Sequence, residues 1–231
     1  MKNIEVKILS HNLNGMPQFL AMLTQRGSKI NSMKDIEELY NRVIDKSPSE
    51  EMLKLPHSTI RRMNYITVAI VGLSTKAVSQ IRTHATRMTF MSTSTQYSEY
   101  SKRENNYVIP EGISELDKVL MIDAYEYVQK AYKILIDRNA DKDKVGYLLP
   151  QGLRKAFIMH GNLDAWEYIL SLRLCRRNTE EVQLIMKKIF TEINKIDKVF
   201  ATNMMPPCYN NQCLEGRFCC GKPLTLEEVI Q

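Results

Sequence analysis

The chain has 231 residues, 44% of them apolar and 25% charged, which fits an ordinary globular chain of one domain with a small appendage. No apolar run reaches the roughly eighteen residues of a membrane-spanning helix, and the first residues lack a secretory core, so the expected location is the cytoplasm and no membrane is expected as a partner. A formal charge of +6 suits a binder of anions, whether nucleotides, a dinucleotide cofactor, polyglutamates or nucleic acid, and does not choose among them.

Residues Asn3 to Leu9 alternate as a strand does, and Asn12 to Gly15 reads as a turn. Pro17 to Arg26 gives a short helix stopped at Gly27. From Met33 to Asp45 the apolar residues Met33, Ile36, Leu39, Tyr40, Val43 and Ile44 recur at helical spacing, a face meant for the core. Pro48 opens a further short helix that Pro56 ends, just before His57. A lone histidine in that place is ordinarily a structural hydrogen-bonder.

The apolar run from Ile66 to Val71 predicts a buried strand that turns into a helix capped by Ser74 or Thr75. Gln80, His84 and Arg87 then fall at i, i+4 and i+7, a polar stripe able to hold an anion. Ser92, Thr93, Ser94, Thr95, Gln96, Tyr97 and Ser98 follow in succession, short donors and acceptors beside cations, as a nucleotide phosphate and a pyrimidine ring both require. The same stretch also reads as a capped surface helix followed by a Ser/Thr-rich loop.

Beyond it, Leu116, Leu120, Ala124, Tyr127, Ala131 and Ile134 predict a long core helix from Ser114 to Asp137, and Asp141 caps another that Pro150 terminates or kinks. Leu153 to His160 leads into a helix from Asn162 to Arg177, in which Arg173 sits among apolar positions. A guanidinium there is costly unless it meets an anion or a carbonyl, which makes Arg173 the arginine most worth a functional role. Glu180 to Ile196 is a last amphipathic helix. The chain divides into a main domain, residues 1–203, and a Cys-rich tail, residues 204–231, where Cys208, Cys213, Cys219 and Cys220 lie at a spacing unlike paired C-x-x-C zinc modules. A metal site, redox-active thiols and structural cysteines all stay open for the tail, and no metal ligand is assigned.

Five segments carry a resemblance. Gln80 and His84, then Phe90, Ser94, Tyr97 and Ser98 after one inserted residue, resemble the signature of the flavin-dependent thymidylate synthases, a glutamine ahead of an RHR triplet followed by S-x-N-E-x-S-x-R-Y. Thr83 and Ala85 stand at the two arginine positions of the triplet, Ser92 at the glutamate and Gln96 at the final arginine. His57-Ser58-Thr59 is similar to the family's H-x-T/S segment, with Arg62 replacing a glutamate. Tyr147 to Pro150, Asn162 to Trp166 and Leu172 to Cys175 resemble its L-P, N-x-R-x-W/L and L-R-x-C segments, with Gly146 where the family carries an arginine for the nucleotide.

The resemblance implies an α/β fold, a small twisted sheet packed with long helices, and a homotetramer with shared active sites. It implies an enzyme that methylates deoxyuridylate (dUMP) to dTMP, with methylenetetrahydrofolate as carbon donor, NADPH as reductant and FAD as cofactor. Arg173 would lie against the uracil carbonyls as the catalytic and substrate-binding arginine. Gln80, Ser94 and Gln96 would bind the nucleotide, while His57, Thr59, Arg82, His84, Arg87 and Asn162 would serve the flavin. Two other classes remain: a flavin- and nucleotide-binding relative altered in catalysis, which the lost charges at Thr83, Ala85, Gln96 and Gly146 would explain, and a basic nucleic-acid binder. The second lacks an aromatic-interleaved basic patch or helix-turn-helix punctuation, so nucleic acid is not the expected partner.

Overall fold

The computed structural model describes residues 3–25, 29–44, 58–102 and 106–230. The helix expected between Pro48 and Pro56, and His57 with its cofactor role, lie outside them.

The fold is mixed α/β. A small antiparallel sheet has the order β1-β2-β4-β3, from β1 (Glu5–His11), β2 (Tyr65–Ser74), β3 (Thr89–Ser92) and β4 (Arg154–Asn162). The alternation of the inner strands is strict: Ile66, Val68 and Ile70 on β2, and Lys155, Phe157 and Met159 on β4, are all buried. On this register Lys155 is the one charged residue among apolar neighbours.

The chain forms two compact units, and the boundary runs through the strands. The first unit comprises Met1–Glu5, Ile70–Thr83 and Phe90–Ile158. It holds α4 (Thr75–Arg82), α5 (Glu115–Asp137) and α6 (Lys142–Val145). Ser74, one of the two expected caps, starts α4 by accepting from the N–H of Ala77 at 3.0 Å; Asp141 caps α6 as the sequence predicts, and Ser114, expected as the first helical residue, is the cap of α5. Its core gathers Tyr100, Tyr132, Val145 and Leu153.

The long helix corrects one expectation. Tyr132 alone is buried along α5, whereas Leu116, Leu120 and Tyr127 are 71%, 59% and 75% exposed. The face read as core is therefore an uncovered apolar surface.

The second unit comprises Val6–Ala69, His84–Thr89 and Met159–Gln231. It holds α1 (Met16–Gln25), α2 (Met33–Val43), α3 (Ser58–Met63), α7 (Leu163–Arg173), α8 (Glu180–Ile196), α9 (Lys198–Asn203) and α10 (Leu226–Val229). Trp166, Ile169 and Leu170 of α7 and Ile185, Ile189, Phe190 and Ile193 of α8 are fully buried, and the Trp166 indole donates to the carbonyl of Ile66 at 2.9 Å. Ser32 and Asp35 form a capping box that starts α2. Arg61 and Arg62 of α3 pair with Asp164 at 3.4 Å each, and Arg61 also pairs with Glu167, so the arginine at the family's glutamate position ties α3 to α7.

Two helix limits differ from expectation. The segment from Arg154 to Asn162 is a strand, and Asn162 is not the first helical residue but the cap of α7, its side-chain amide oxygen accepting from the N–H of Ala165 at 2.9 Å. The helix ends at Arg173 instead of Arg177, because the Asn178 amide donates to the carbonyls of Leu172 and Cys175 and closes the turn.

Candidate functional site

The signature is divided between the two units, and each carries a polar group of its own. In the first unit, α4 is anchored at its start by Thr75, whose N–H and hydroxyl both donate to the carbonyl of Leu153, at 2.9 and 3.2 Å. The half-buried Gln80 lies in its last turn, where its carbonyl accepts from the Thr83 hydroxyl. Arg82 is exposed and donates to the Ser92 hydroxyl at 2.7 Å, with its guanidinium 5.9 Å from the Phe157 ring centre. The hydroxyl at the family's glutamate position thus holds the arginine nearest to it.

Ser94 organises the loop that follows. Its hydroxyl accepts from the N–H groups of Gln96 and Tyr97, at 3.0 and 3.1 Å, and its carbonyl accepts from the Tyr100 hydroxyl at 2.8 Å. Gln96 itself is exposed.

Beneath the loop lies a cation that the sequence analysis missed. Lys155 is 5% exposed, and its ammonium donates to the Thr93 carbonyl and to the Tyr100 hydroxyl at 3.2 Å each, 5.0 Å from the Tyr100 ring centre. The buried Thr93 hydroxyl has no partner among the described residues. Both acceptors of Lys155 are neutral, a costly setting for a buried charge.

Gly146 adjoins the same loop. A Cβ on it would stand 3.0 Å from the Thr95 carbonyl oxygen, so an arginine there requires the loop to yield.

In the second unit the expected helical stripe is corrected: α4 stops at Arg82, and His84 to Arg87 form a turn in which the His84 carbonyl accepts from the N–H groups of Arg87 and Met88. The turn sends His84 inward, to 8% exposure, and leaves Arg87 outside with its guanidinium 4.1 Å from the Tyr168 ring centre. His84 packs edge-on against the same ring at 5.6 Å. Arg173 reaches this pair from the last turn of α7. Its Nε donates to His84 Nε2 at 2.8 Å and its Nη1 to the Asn178 side-chain oxygen at 2.9 Å.

That bond requires an unprotonated Nε2. Burial first, and the Arg173 charge second, lower the His84 pKa below the ordinary histidine value and keep the ring neutral.

Within the second unit, then, His84, Arg87 and Arg173 come together around Tyr168, with Asn178 as a partner that the sequence did not point to. Asn162 stands at the opposite end of α7, and Thr59 is exposed on α3. Gly161 lies just before that cap, where a Cβ would stand 2.4 Å from Met88 Sδ and 3.2 Å from the Ala165 Cβ, so a side chain there requires the Met88 side chain to move aside.

The fold is that of solved thymidylate synthase structures. The crystal structure of thymidylate synthase X from Helicobacter pylori with FAD and dUMP covers 87% of this chain and 99% of its own, with a TM-score of 0.61 and 19% identity. The UMP/dUMP methylase PolB from Streptomyces cacaoi, bound with 5-Br dUMP, covers 87% of this chain and 94% of its own, with a TM-score of 0.63 and 18% identity. Residues 15–197 match the family described as thymidylate synthase complementing protein, and the chain belongs to that family.

Among curated relatives, the flavin-dependent thymidylate synthase of Sulfurisphaera tokodaii is 24% identical over 167 residues, which cover 71% of this chain and 63% of that protein. The enzyme of the same name from Thermococcus kodakarensis is 28% identical over 177 residues, covering 70% of this chain and 69% of the relative.

Proposed function

We propose that the chain is a flavin-dependent thymidylate synthase, methylating dUMP to dTMP with methylenetetrahydrofolate as the carbon donor and NADPH as the reductant. The observation that carries this reading is the clamped guanidinium of Arg173. His84 and Asn178 hold it from two sides, so its plane is set before any ligand arrives, as catalysis by preorganised charge requires. Arg173 binds the uracil carbonyls and favours the polarised ring; His84 positions it.

The donor set suits a dinucleotide. Arg82 in the first unit and Arg87 in the second are exposed cations of the kind that phosphates of FAD require, and the family pattern assigns both to the flavin together with Thr59, His84 and Asn162, with His57 beyond the described residues. When bound, FAD supplies the redox chemistry. Gln80, Ser94 and Gln96 orient the nucleotide, and Lys155 supplies the charge that Gln96 and Gly146 do not.

Assembly as a homotetramer is supported by the apolar face of α5, which none of the described residues covers. No helix among the described residues is long and apolar enough to cross a membrane, and we place the enzyme in the cytoplasm.

A second reading, a flavin- and nucleotide-binding relative that has lost synthesis, is favoured by Thr83, Ala85, Gln96 and Gly146 at the family's arginine positions. Rescue of a thymidine-requiring host, with tritium release from [5-³H]dUMP by the purified yellow protein, supports synthesis. A yellow protein that binds dUMP without releasing tritium refutes synthesis and selects the second reading.

A further inference from the structure

All five cysteines of the chain line one cavity of about 170 Å³ in the second unit. Cys175 comes from the turn after α7, and Cys208, Cys213, Cys219 and Cys220 come from the tail, 33 or more residues later in sequence. None is in a disulfide.

The tail around them has little else to hold it. From residue 210 to 223 every residue except Cys213 is exposed, so no apolar side chain buries this segment. It is nonetheless shaped, with two short 3₁₀ turns, Pro207–Asn210 and Gly216–Phe218, and positive φ at Asn211, Gly216 and Gly221. A segment without a core requires a staple, and thiols collected at one place are the usual means.

We propose that Cys175, Cys208, Cys213 and Cys219 form a tetrathiolate site for a single zinc ion that fastens the tail to the end of α7. The proposal is independent of the enzymatic reading. Binding replaces four S–H bonds by four Zn–S bonds, releases four protons to solvent and leaves a centre of net charge −2. Arg176, Arg177 and Lys222 line the cavity against the carboxylate of Glu215, a positive rim that lowers the cost of gathering thiolates.

The Gly221 N–H donates to Cys219 Sγ at 3.4 Å and fixes where that sulfur sits in the cavity. Cys220 is engaged instead with the carbonyl of Lys222, to which its thiol donates at 3.5 Å, and is left out of the set. Among the described residues no three His, Cys, Asp or Glu side chains converge on one point as metal ligands do. A tetrahedral site needs every sulfur about 2.3 Å from the ion, so the exposed tail closes around zinc as it binds, the ordinary coupling of ordering to metal capture.

The test uses the full chain, purified under reducing conditions, supplied with zinc, desalted and measured by inductively coupled plasma mass spectrometry. The expected result is about one zinc per chain in the wild type and in Cys220→Ser, falling at least tenfold in Cys213→Ser and Cys175→Ser. X-ray absorption on the wild type is expected to show four sulfur neighbours, a readout that does not depend on any variant folding. A zinc-free wild type, iron with acid-labile sulfide, an intact mass lowered by disulfide formation, or loss of zinc in Cys220→Ser to the extent seen in Cys213→Ser would each overturn the proposal.

Discussion

Replacing Arg173 by lysine keeps the charge and removes the fork. The guanidinium donates in two directions at once, to His84 at 2.8 Å and to Asn178 at 2.9 Å, and an ammonium on a flexible stem satisfies one of them at a time. Losing one charge-assisted hydrogen bond in a half-buried setting costs about 1.5–2 kcal/mol, which for a chain of this size lowers Tm by roughly 3–8 °C. Turnover falls further, by about 10²–10³, the scale of one preorganised donor removed from developing negative charge. Differential scanning fluorimetry gives the first quantity and tritium release from [5-³H]dUMP the second. A lysine variant that melts lower but turns over as fast as wild type would make Arg173 a structural clamp and remove it from the chemistry. The same pair gives a pH signature. Because the folded His84 pKa lies below its ordinary 6.5, the stability contributed by neutral His84 is complete above that value and is lost as pH falls through the lowered folded pKa. Protonation also ends its acceptance from Arg173, so activity and stability decline together on the acid side. His84→Gln keeps an acceptor and has no proton to take up, and it is expected to flatten that acid limb; an unchanged limb would place the titration elsewhere.

Lys155→Met is expected to weaken dUMP binding by about 10–100-fold in calorimetric titration, since it removes the one buried cation beneath the Ser94 loop, and unchanged affinity would show that Lys155 serves folding alone. Gly161→Ala drives a methyl group towards Met88 Sδ and is expected to cost about 1–3 kcal/mol in urea denaturation; wild-type stability would mean that the Met88 side chain swings aside freely. Leu120→Glu with Tyr127→Glu places two charges on the bare face of α5, and light scattering is expected to show smaller particles than for the wild type, as the proposed homotetramer requires; an unchanged particle size would refute that face as the subunit contact.

Helix α8 was legible to the residue because Val182, Ile185, Met186, Ile189 and Ile193 repeat on one face and all five are buried. The end of α4 was not. Apolar periodicity continues through Ala85, but the bond from the Thr83 hydroxyl to the Gln80 carbonyl and the turn around the His84 carbonyl close the helix at Arg82, and local side-chain bonds of this kind leave no periodic trace. Arg173 stood out as a cation among apolar positions, yet its partner His84 lies 89 residues away and no local pattern joins them. Lys155 had a signal that went unread, namely its place in step with Leu153, Phe157 and Met159, which becomes visible only once the segment is recognised as a strand. The exposure of α5 is invisible in principle, since periodicity marks an apolar face without saying what covers it.

The lost arginines of the first unit are not equivalent, and that difference is testable. Gln96 is exposed at the tip of a loop that Ser94 and Tyr100 hold in place, so a longer side chain there meets solvent and displaces nothing. Gly146 is backed by the Thr95 carbonyl, and any Cβ asks the same loop to move by a few tenths of an ångström. Restoring charge at the two positions therefore has opposite expected effects. Gln96→Arg should tighten dUMP binding by about tenfold at low salt, with the gain shrinking as ionic strength rises, and leave Tm unchanged. Gly146→Arg should lower Tm first, because the displaced Thr95 adjoins the loop bonds of Ser94 and the Thr93 carbonyl that Lys155 holds. If Gly146→Arg instead binds dUMP more tightly at wild-type Tm, the loop yields without cost and packing is not what keeps glycine there. If Gln96→Arg gains nothing at any salt concentration, the nucleotide phosphate does not lie near residue 96, and the assignment of Ser94 and Gln96 to the substrate fails with it.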